Sequence, residues 1–184
     1  LYVRDIDECR ERVRSAGRFT LLVETPPVKI LFVNRFYAPD HSATSQMLTD
    51  LPSELAADGA EVKVMTTRLL YDDAAASLAS RETIDGVDVH RIWTSRFGRR
   101  ALVGRSFDYL SFYVSAVVRL FALVRSGDLI VAKTDPPLIS VVAGWVARRR
   151  GARLVNWLQD LFPEVATTLG VIDANGWLAQ RLRR

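Results

Sequence analysis

Apolar residues along the chain form two recurring patterns. A short continuous apolar run at 29–34 predicts a strand that is buried on both faces of a parallel sheet. Segments 128–132 and 152–158 are predicted to be strands as well. Polar and apolar residues alternate at 60–67, and 87–94 follows an Asp-Gly turn, so both segments are also predicted to be strands.

Helical spacing separates these strands. Apolar residues three and four positions apart predict a helix over 43–58 that ends at Gly59, with Pro52 as a possible kink. A second helix is predicted to begin at Pro136 and to end at Gly151, with Thr134 as its cap. The alternation predicts an α/β fold: a Rossmann-like, doubly wound, mostly parallel sheet with helices on both faces.

Segment 104–125 is apolar almost all round and is about as long as a bilayer span. Asp108, Ser111, Ser115 and Arg119 form its one narrow polar stripe. A charge pair within the segment favours a helix buried against the sheet over a transmembrane helix. Shallow contact with a membrane stays open.

Length and composition favour one domain. The chain has 184 residues, of which 49% are apolar, which suffices for one α/β domain and not for two. We expect residues 1–27 to be an extension outside the fold and 28–184 to be the domain, truncated inside a helix. A lone cysteine, Cys9, and the absence of a signal-peptide pattern favour the cytoplasm.

The chain has a net charge of +4, and nearly all of its basic residues are arginines. Clusters at 96–100, 148–150 and 181–184 are interpreted first as solvated helix ends and turns, and second as a phosphate or membrane-surface patch. No aromatic-interleaved basic stretch accompanies them, so nucleic acid is not an expected partner. His41 and His90 lack ligand spacing, and no metal site is predicted.

Ligands of open α/β sheets bind beyond the carboxyl ends of the strands. After the first strand, this position holds Asp40, His41, Ser42 and Thr44, whose hydroxyls and backbone N–H groups can bind sugar hydroxyls or a phosphate. Ser42 alone is expected to cap the following helix. For the loop as a whole, a binding site and a purely structural role are equally open.

Two later loops reach the same edge. Lys133 and Asp135 follow the fourth strand and supply a donor and a carboxylate. After the fifth strand, Gln159 precedes Asp160 and Glu164, which lie four apart and can form a carboxylate pair or act as helix-start acids.

Several enzyme classes are disfavoured by missing motifs. The chain has no Gly-x-Gly-x-x-Gly and no P-loop, which argues against nicotinamide dehydrogenases and P-loop ATPases. It also lacks the Gly-x-Ser-x-Gly elbow of many acyl hydrolases.

Four strings carry a family resemblance. Residues 29–44 (KILFVNRFYAPDHSAT), 82–87 (ETIDGV), 134–138 (TDPPL) and 157–164 (WLQDLFPE) resemble the N-terminal domain of family 4 glycosyltransferases, which have the GT-B fold. The similarity is greatest to the bacterial branch that builds exopolysaccharide, colanic acid and O-antigen. It extends from Lys29 to the end of the chain.

The resemblance implies an acceptor-side domain whose nucleotide-sugar donor binds to a second, absent domain. It implies sugar transfer to a saccharide or polyprenyl-linked acceptor, with retention, no cofactor and no essential metal, at the inner face of the plasma membrane. Asp160 and Gln159 would be catalytic, and Asp40, His41, Ser42, Thr44, Asp135 and Glu164 would bind the acceptor. The usual Gly-Gly pair after the first strand is replaced here by 39–42.

Other hypotheses stay open. The domain can be a stand-alone Rossmann-like module that binds a sugar or nucleotide without catalysis, or a membrane-associated scaffold that uses 104–125.

Overall fold

Six strands and three helices form the part of the chain that the computed structural model describes, residues 28–73, 75–97 and 102–159. The strands are β1 (Ile30–Val33), β2 (Val62–Thr67), β3 (Arg81–Ile84), β4 (Val87–Ile92), β5 (Leu129–Lys133) and β6 (Arg153–Trp157). The helices are α1 (Ala43–Ala57), α2 (Leu102–Leu123) and α3 (Ile139–Arg150).

The strands form one mixed, mostly parallel sheet in the order β3-β4-β2-β1-β5-β6. Five strands are parallel, and only β3 runs antiparallel to its neighbour β4. The chain starts in the middle of the sheet, moves outward through β2, and returns to the other side of β1 with β5. This arrangement is consistent with a Rossmann-like α/β fold, and the reversal between β1 and β5 is its topological switch point.

Helices cover both faces of the sheet. Phe32 of β1 points to one face, where it packs with Leu48 of α1 in a buried cluster. Leu31 and Val33 point to the other face because side chains alternate along a strand, and they pack with residues of α2 and α3, including Phe112. The predicted doubly wound architecture is therefore confirmed at the level of a mostly parallel sheet with helices on both faces.

β3 was not predicted. Its residues alternate between exposed and half-buried positions, and a polar edge strand gives little hydrophobic signal. The Asp-Gly turn is confirmed: Asp85 and Gly86 both have positive φ, 47° and 81°, as a two-residue hairpin turn between β3 and β4 requires.

α3 begins later than predicted. Its first residue is Ile139, and Leu138, which precedes it, has a left-handed backbone. Pro136 and Pro137 thus lie in the loop before the helix, and the prediction that Thr134 caps the helix is wrong.

α2 is buried on one side only. Phe112, Ala116 and Leu120 are inaccessible to solvent, which confirms the predicted packing on the sheet. The opposite side is exposed and apolar. By length and composition alone, residues Val103–Leu123 of α2 are sufficient to cross a membrane. In an apolar 18-residue stretch of this helix, 22% is buried inside the protein.

One apolar groove of about 430 Å³ lies beside α1. Leu51 and Leu55 of α1 form one wall, and strand residues including Val131 and Val155 form the floor.

Candidate functional site

Three loops meet at the carboxyl edge of the sheet, at the switch point between β1 and β5. The backbone N–H of Arg35, just after β1, donates to the carbonyl of Asp135 after β5 (2.9 Å). The Arg35 carbonyl accepts from the backbone N–H of Thr67 at the end of β2 (3.0 Å) and from the Thr66 hydroxyl (2.8 Å). These bonds fix the positions of the loops that carry the sequence-predicted residues.

Asp40 is buried and holds two loops together. Its Oδ1 accepts from the backbone N–H of Ser42 (2.8 Å), and its Oδ2 accepts from the backbone N–H of Tyr71. Both carboxylate oxygens are therefore used within the protein. This geometry favours a positioning role for Asp40, in which it shapes the loop that a ligand would meet.

The other residues of the first loop are more accessible. His41 is exposed, and its carbonyl accepts from the Gln46 side-chain amide (3.0 Å). Ser42 occupies the N-cap position of α1, but its side chain makes no capping bond. Its hydroxyl lies 3.4 Å from that of Thr44. The predicted cap is thus right in position and wrong in bonding, and two hydroxyls stand together at the helix start.

Lys133 lies beneath this helix start. It is 1% exposed, its Nζ donates to the carbonyl of Thr44 (2.7 Å), and its ammonium lies 4.7 Å from the centre of the Trp157 ring. Burial lowers the Lys133 pKa to about 8, against a smaller rise caused by the Asp135 carboxylate. The structure thus brings the β5 loop to the first loop through a lysine that the sequence had named only as a possible donor.

Gln159 joins the third loop to the same edge. Its backbone N–H donates to the Thr134 hydroxyl (3.3 Å). The side-chain amide of Gln159 donates to the sulfur of Met47 on α1 (2.9 Å). Its Oε1 is buried without a hydrogen-bond partner in the described part of the chain. Asp160 and Glu164 lie outside the described residues.

Arg35 was not among the residues that the sequence analysis proposed for the site. Its guanidinium is stacked about equally close to two rings, 5.1 Å from the centre of Phe36 and 5.0 Å from that of Tyr109. It is 7% exposed, and within the described ranges its Nε has no hydrogen-bond partner. An arginine directly after a buried strand was the available signal.

Tyr113 of α2 closes the side of the edge next to α3. Its hydroxyl donates to the carbonyl of Pro137. Burial, aided by Tyr109 and the Asp135 carboxylate, raises the Tyr113 pKa to about 12. The phenol is therefore neutral at physiological pH and serves as a donor.

The edge combines hydroxyls, a carboxylate, an amide and a buried amine, which are groups that bind polyols and anions. Among residues 28–73, 75–97 and 102–159, no group of three or more His, Cys, Asp or Glu side chains is placed to hold a metal ion.

Comparison with known proteins gives no match: no family model, no curated protein and no solved structure is significantly similar to this chain.

Proposed function

We propose that this chain is the acceptor-binding domain of a GT-B glycosyltransferase that moves a sugar from a nucleotide sugar to a saccharide acceptor in cell-surface polysaccharide biosynthesis. The observation that carries the proposal is the meeting of two loops at the switch point. The loop with the Ser42–Thr44 hydroxyl pair is joined to the end of β5 by the bond from Lys133 to the Thr44 carbonyl and by the bond from the Arg35 N–H to the Asp135 carbonyl. Ligands of doubly wound sheets bind at this point.

The chemistry of the edge suits a sugar. Ser42 and Thr44 offer hydroxyls that donate and accept, and the Gln159 amide oxygen needs a donor. Sugar hydroxyls can satisfy such mixed groups. Asp40 would act by holding the loop, because both of its oxygens are occupied. His41 would contact the acceptor from the exposed side of the loop.

The nucleotide-sugar donor would bind to a second domain, and transfer would proceed with retention and without an essential metal. Asp160, together with Gln159, would lie closest to the reacting sugar, and Glu164 would bind the acceptor. The dominant catalytic task would be to stabilise the departing diphosphate and the positive charge on the sugar ring. The acceptor we propose is a polyprenyl-linked saccharide at the inner face of the plasma membrane.

Saccharide binding by the 184-residue chain tests the acceptor site, and saturation-transfer NMR with polyprenyl-phosphate-linked sugars measures it. Replacing both hydroxyls, Ser42→Ala with Thr44→Val, should weaken binding tenfold or more. The control is Ser53→Ala, which removes a hydroxyl bonded to the Thr49 carbonyl on the same helix (2.9 Å). Equal binding by the double variant and the control would refute the proposed site.

Transfer itself is tested in the whole gene product that contains this chain. Release of the nucleoside diphosphate from a nucleotide sugar should depend on the acceptor and should fall when Asp160 is changed to Asn. Saccharide or nucleotide binding without any turnover would favour the second candidate, a stand-alone binding module.

A further inference from the structure

α2 is amphipathic in an unusual sense, because its polar stripe faces the protein and an apolar stripe faces outward. The Asp108 carboxylate is buried and accepts from the Ser95 hydroxyl (2.6 Å) and from the backbone N–H of Phe97 (3.0 Å). Arg119 donates to Nδ1 of the buried His90 on β4 (2.7 Å). The polar stripe thus fastens the helix to the domain.

The outward stripe, here called the outer face of α2, is apolar along four helical turns. Its members recur at spacings of three and four and are all more than half exposed: Val103, Phe107, Leu110, Val114 and Val118. Phe97 stacks on Phe107 at one end of the stripe (5.8 Å between ring centres). Between residues 106 and 124 the only charged side chains are Asp108 and Arg119, and both are bonded on the inner side.

Aromatic and basic residues border the outer face where α2 meets α3. The Trp145 ring of α3 packs edge-on against Phe121 of α2 (5.2 Å). Arg149 lies over Trp145 (5.2 Å) and Arg150 over Phe121 (5.3 Å). Arginines whose stems cover apolar rings keep their charge in water at the boundary of an apolar surface.

The charge of this region has one sign. Between residues 102 and 153, the exposed charged residues in the described part are all arginines: Arg105, Arg125, Arg148, Arg149, Arg150 and Arg153. The acids of this stretch do not offset them, because Asp108 and Asp128 are buried and Asp135 is half-buried. An apolar stripe with tryptophan and arginine at its border fits the headgroup layer of an anionic bilayer.

We propose that the outer face of α2 lies on an anionic lipid bilayer, with the helix axis parallel to the membrane plane and the arginines at the end of α3 in the headgroup layer. α2 does not span the bilayer in this arrangement. Spanning would require Phe112 and Leu120 to leave the sheet, and it would place the bonded Asp108 and Arg119 in hydrocarbon.

This arrangement also orients the candidate site. α2 follows β4, so its first turn lies at the carboxyl edge of the sheet and its last turn lies at the opposite edge. A helix that lies flat on the membrane therefore holds both edges of the sheet at a similar distance from the bilayer, and a lipid-linked molecule can approach the carboxyl edge from the side. The docking surface itself does not depend on sugar transfer.

Flotation of the 184-residue chain with vesicles tests the proposal without any substrate. Vesicles of equal parts phosphatidylglycerol and phosphatidylcholine should carry the protein upward, and Leu110→Glu combined with Val114→Glu should abolish this. The control is Leu51→Glu, an exposed leucine of α1 that lines the groove on the opposite face of the sheet. Circular dichroism and thermal melting of each variant establish that the fold is retained.

The basic border is tested separately. Arg148→Gln with Arg149→Gln should weaken vesicle binding on the order of twenty-fold at low salt, since each arginine near an anionic surface contributes roughly a fivefold factor. Failure of the wild-type chain to float would overturn the proposal, as would unchanged flotation of the Leu110→Glu, Val114→Glu variant. A concentration-dependent dimer that this variant dissociates, without vesicle binding, would assign the outer face to a second copy of the chain. None of these results changes the interpretation of the sugar-binding experiment.

Discussion

Replacing Lys133 with methionine should stabilise the protein at neutral pH. The folded state lowers the Lys133 pKa from 10.5 to about 8, mainly through burial. Each unit of pKa corresponds to about 1.4 kcal/mol, so holding this ammonium in the fold costs up to about 3 kcal/mol below pH 8. Methionine has a similar length and carries no charge.

The gain should be smaller than this limit. The substitution also removes the hydrogen bond to the Thr44 carbonyl and the contact with the Trp157 ring, each of which contributes about 1–2 kcal/mol. With both contacts at the low end of this range, we expect Lys133→Met to be more stable by about 1 kcal/mol at pH 7.

The pH dependence identifies the cause. Between pH 8 and 10.5 the unfolded chain binds this proton and the folded chain does not, so the stability of the wild type rises with pH in that window. The advantage of Lys133→Met should therefore shrink as pH rises from 7 to 10.5. Urea unfolding of both proteins at several pH values measures it, and titrating groups common to both cancel in the difference.

Lys63→Met is the matched control. Lys63 is a half-buried lysine on β2 that is paired with Asp88 (3.2 Å) and Glu61 (3.3 Å), so its removal should destabilise the fold by roughly 0.5–1 kcal/mol. A Lys133→Met protein that is less stable than the wild type at pH 7, or whose difference does not change with pH, would refute the reasoning.

Three further predictions concern packing, pH and the first loop. Phe112→Ala should cost about 3–5 kcal/mol in urea unfolding, because Phe112 is fully buried between α2 and the sheet; a cost below about 1 kcal/mol would contradict this packing. Burial lowers the His90 pKa, against an opposing effect of Asp88, so stability should fall as pH drops below 6.5, and His90→Leu should lose that part of the dependence. Asp40→Asn replaces one acceptor with a donor that faces a backbone N–H; we expect a loss of about 1–3 kcal/mol, whereas weaker sugar binding at unchanged stability would show direct ligand contact.

Protonation of Asp88 should cause a second loss of folding stability, at lower pH than that caused by His90. Burial raises its pKa, but the Arg81 hydrogen bonds, with smaller contributions from His90 and Lys63, outweigh burial and lower the pKa to about 2. The stability gained from this carboxylate is therefore present above pH 4 and is lost as pH falls toward 2. The two steps can be told apart because they lie in different pH ranges.

Local patterns predicted the sheet well because a buried strand must be apolar whatever its partners are. β1, β2, β4 and β6 lie within their predicted ranges, and β5 ends one residue beyond its predicted range, at Lys133. The polar edge strand β3 and the late start of α3 at Ile139 were missed. Each depends on a pairing or a backbone conformation that composition does not reveal.

The candidate site was harder to predict, because its contacts join residues that are distant in the sequence. Lys133 reaches Thr44 across 89 positions, and Gln159 reaches Met47 across 112. The order of strands and loops in the sequence predicted that the three loops share an edge. It could not predict that both carboxylate oxygens of Asp40 accept hydrogen bonds within the protein, or that Lys133 lies beneath α1. The hydrogen bond between Gln159 and the Thr134 hydroxyl likewise joins two loops that are distant in the sequence.

The orientation of α2 also could not be predicted from the sequence. Spacing identifies which residues share a face of a helix, but it does not identify the direction in which that face points. Asp108 and Arg119 would normally indicate the solvent side, yet here they bind Ser95 and His90 within the domain. Because the polar stripe bonds to other parts of the domain, the apolar side of α2 is the one left in solvent. Burial of that side in a lipid bilayer, as proposed above, is the simplest physical reason for such a helix.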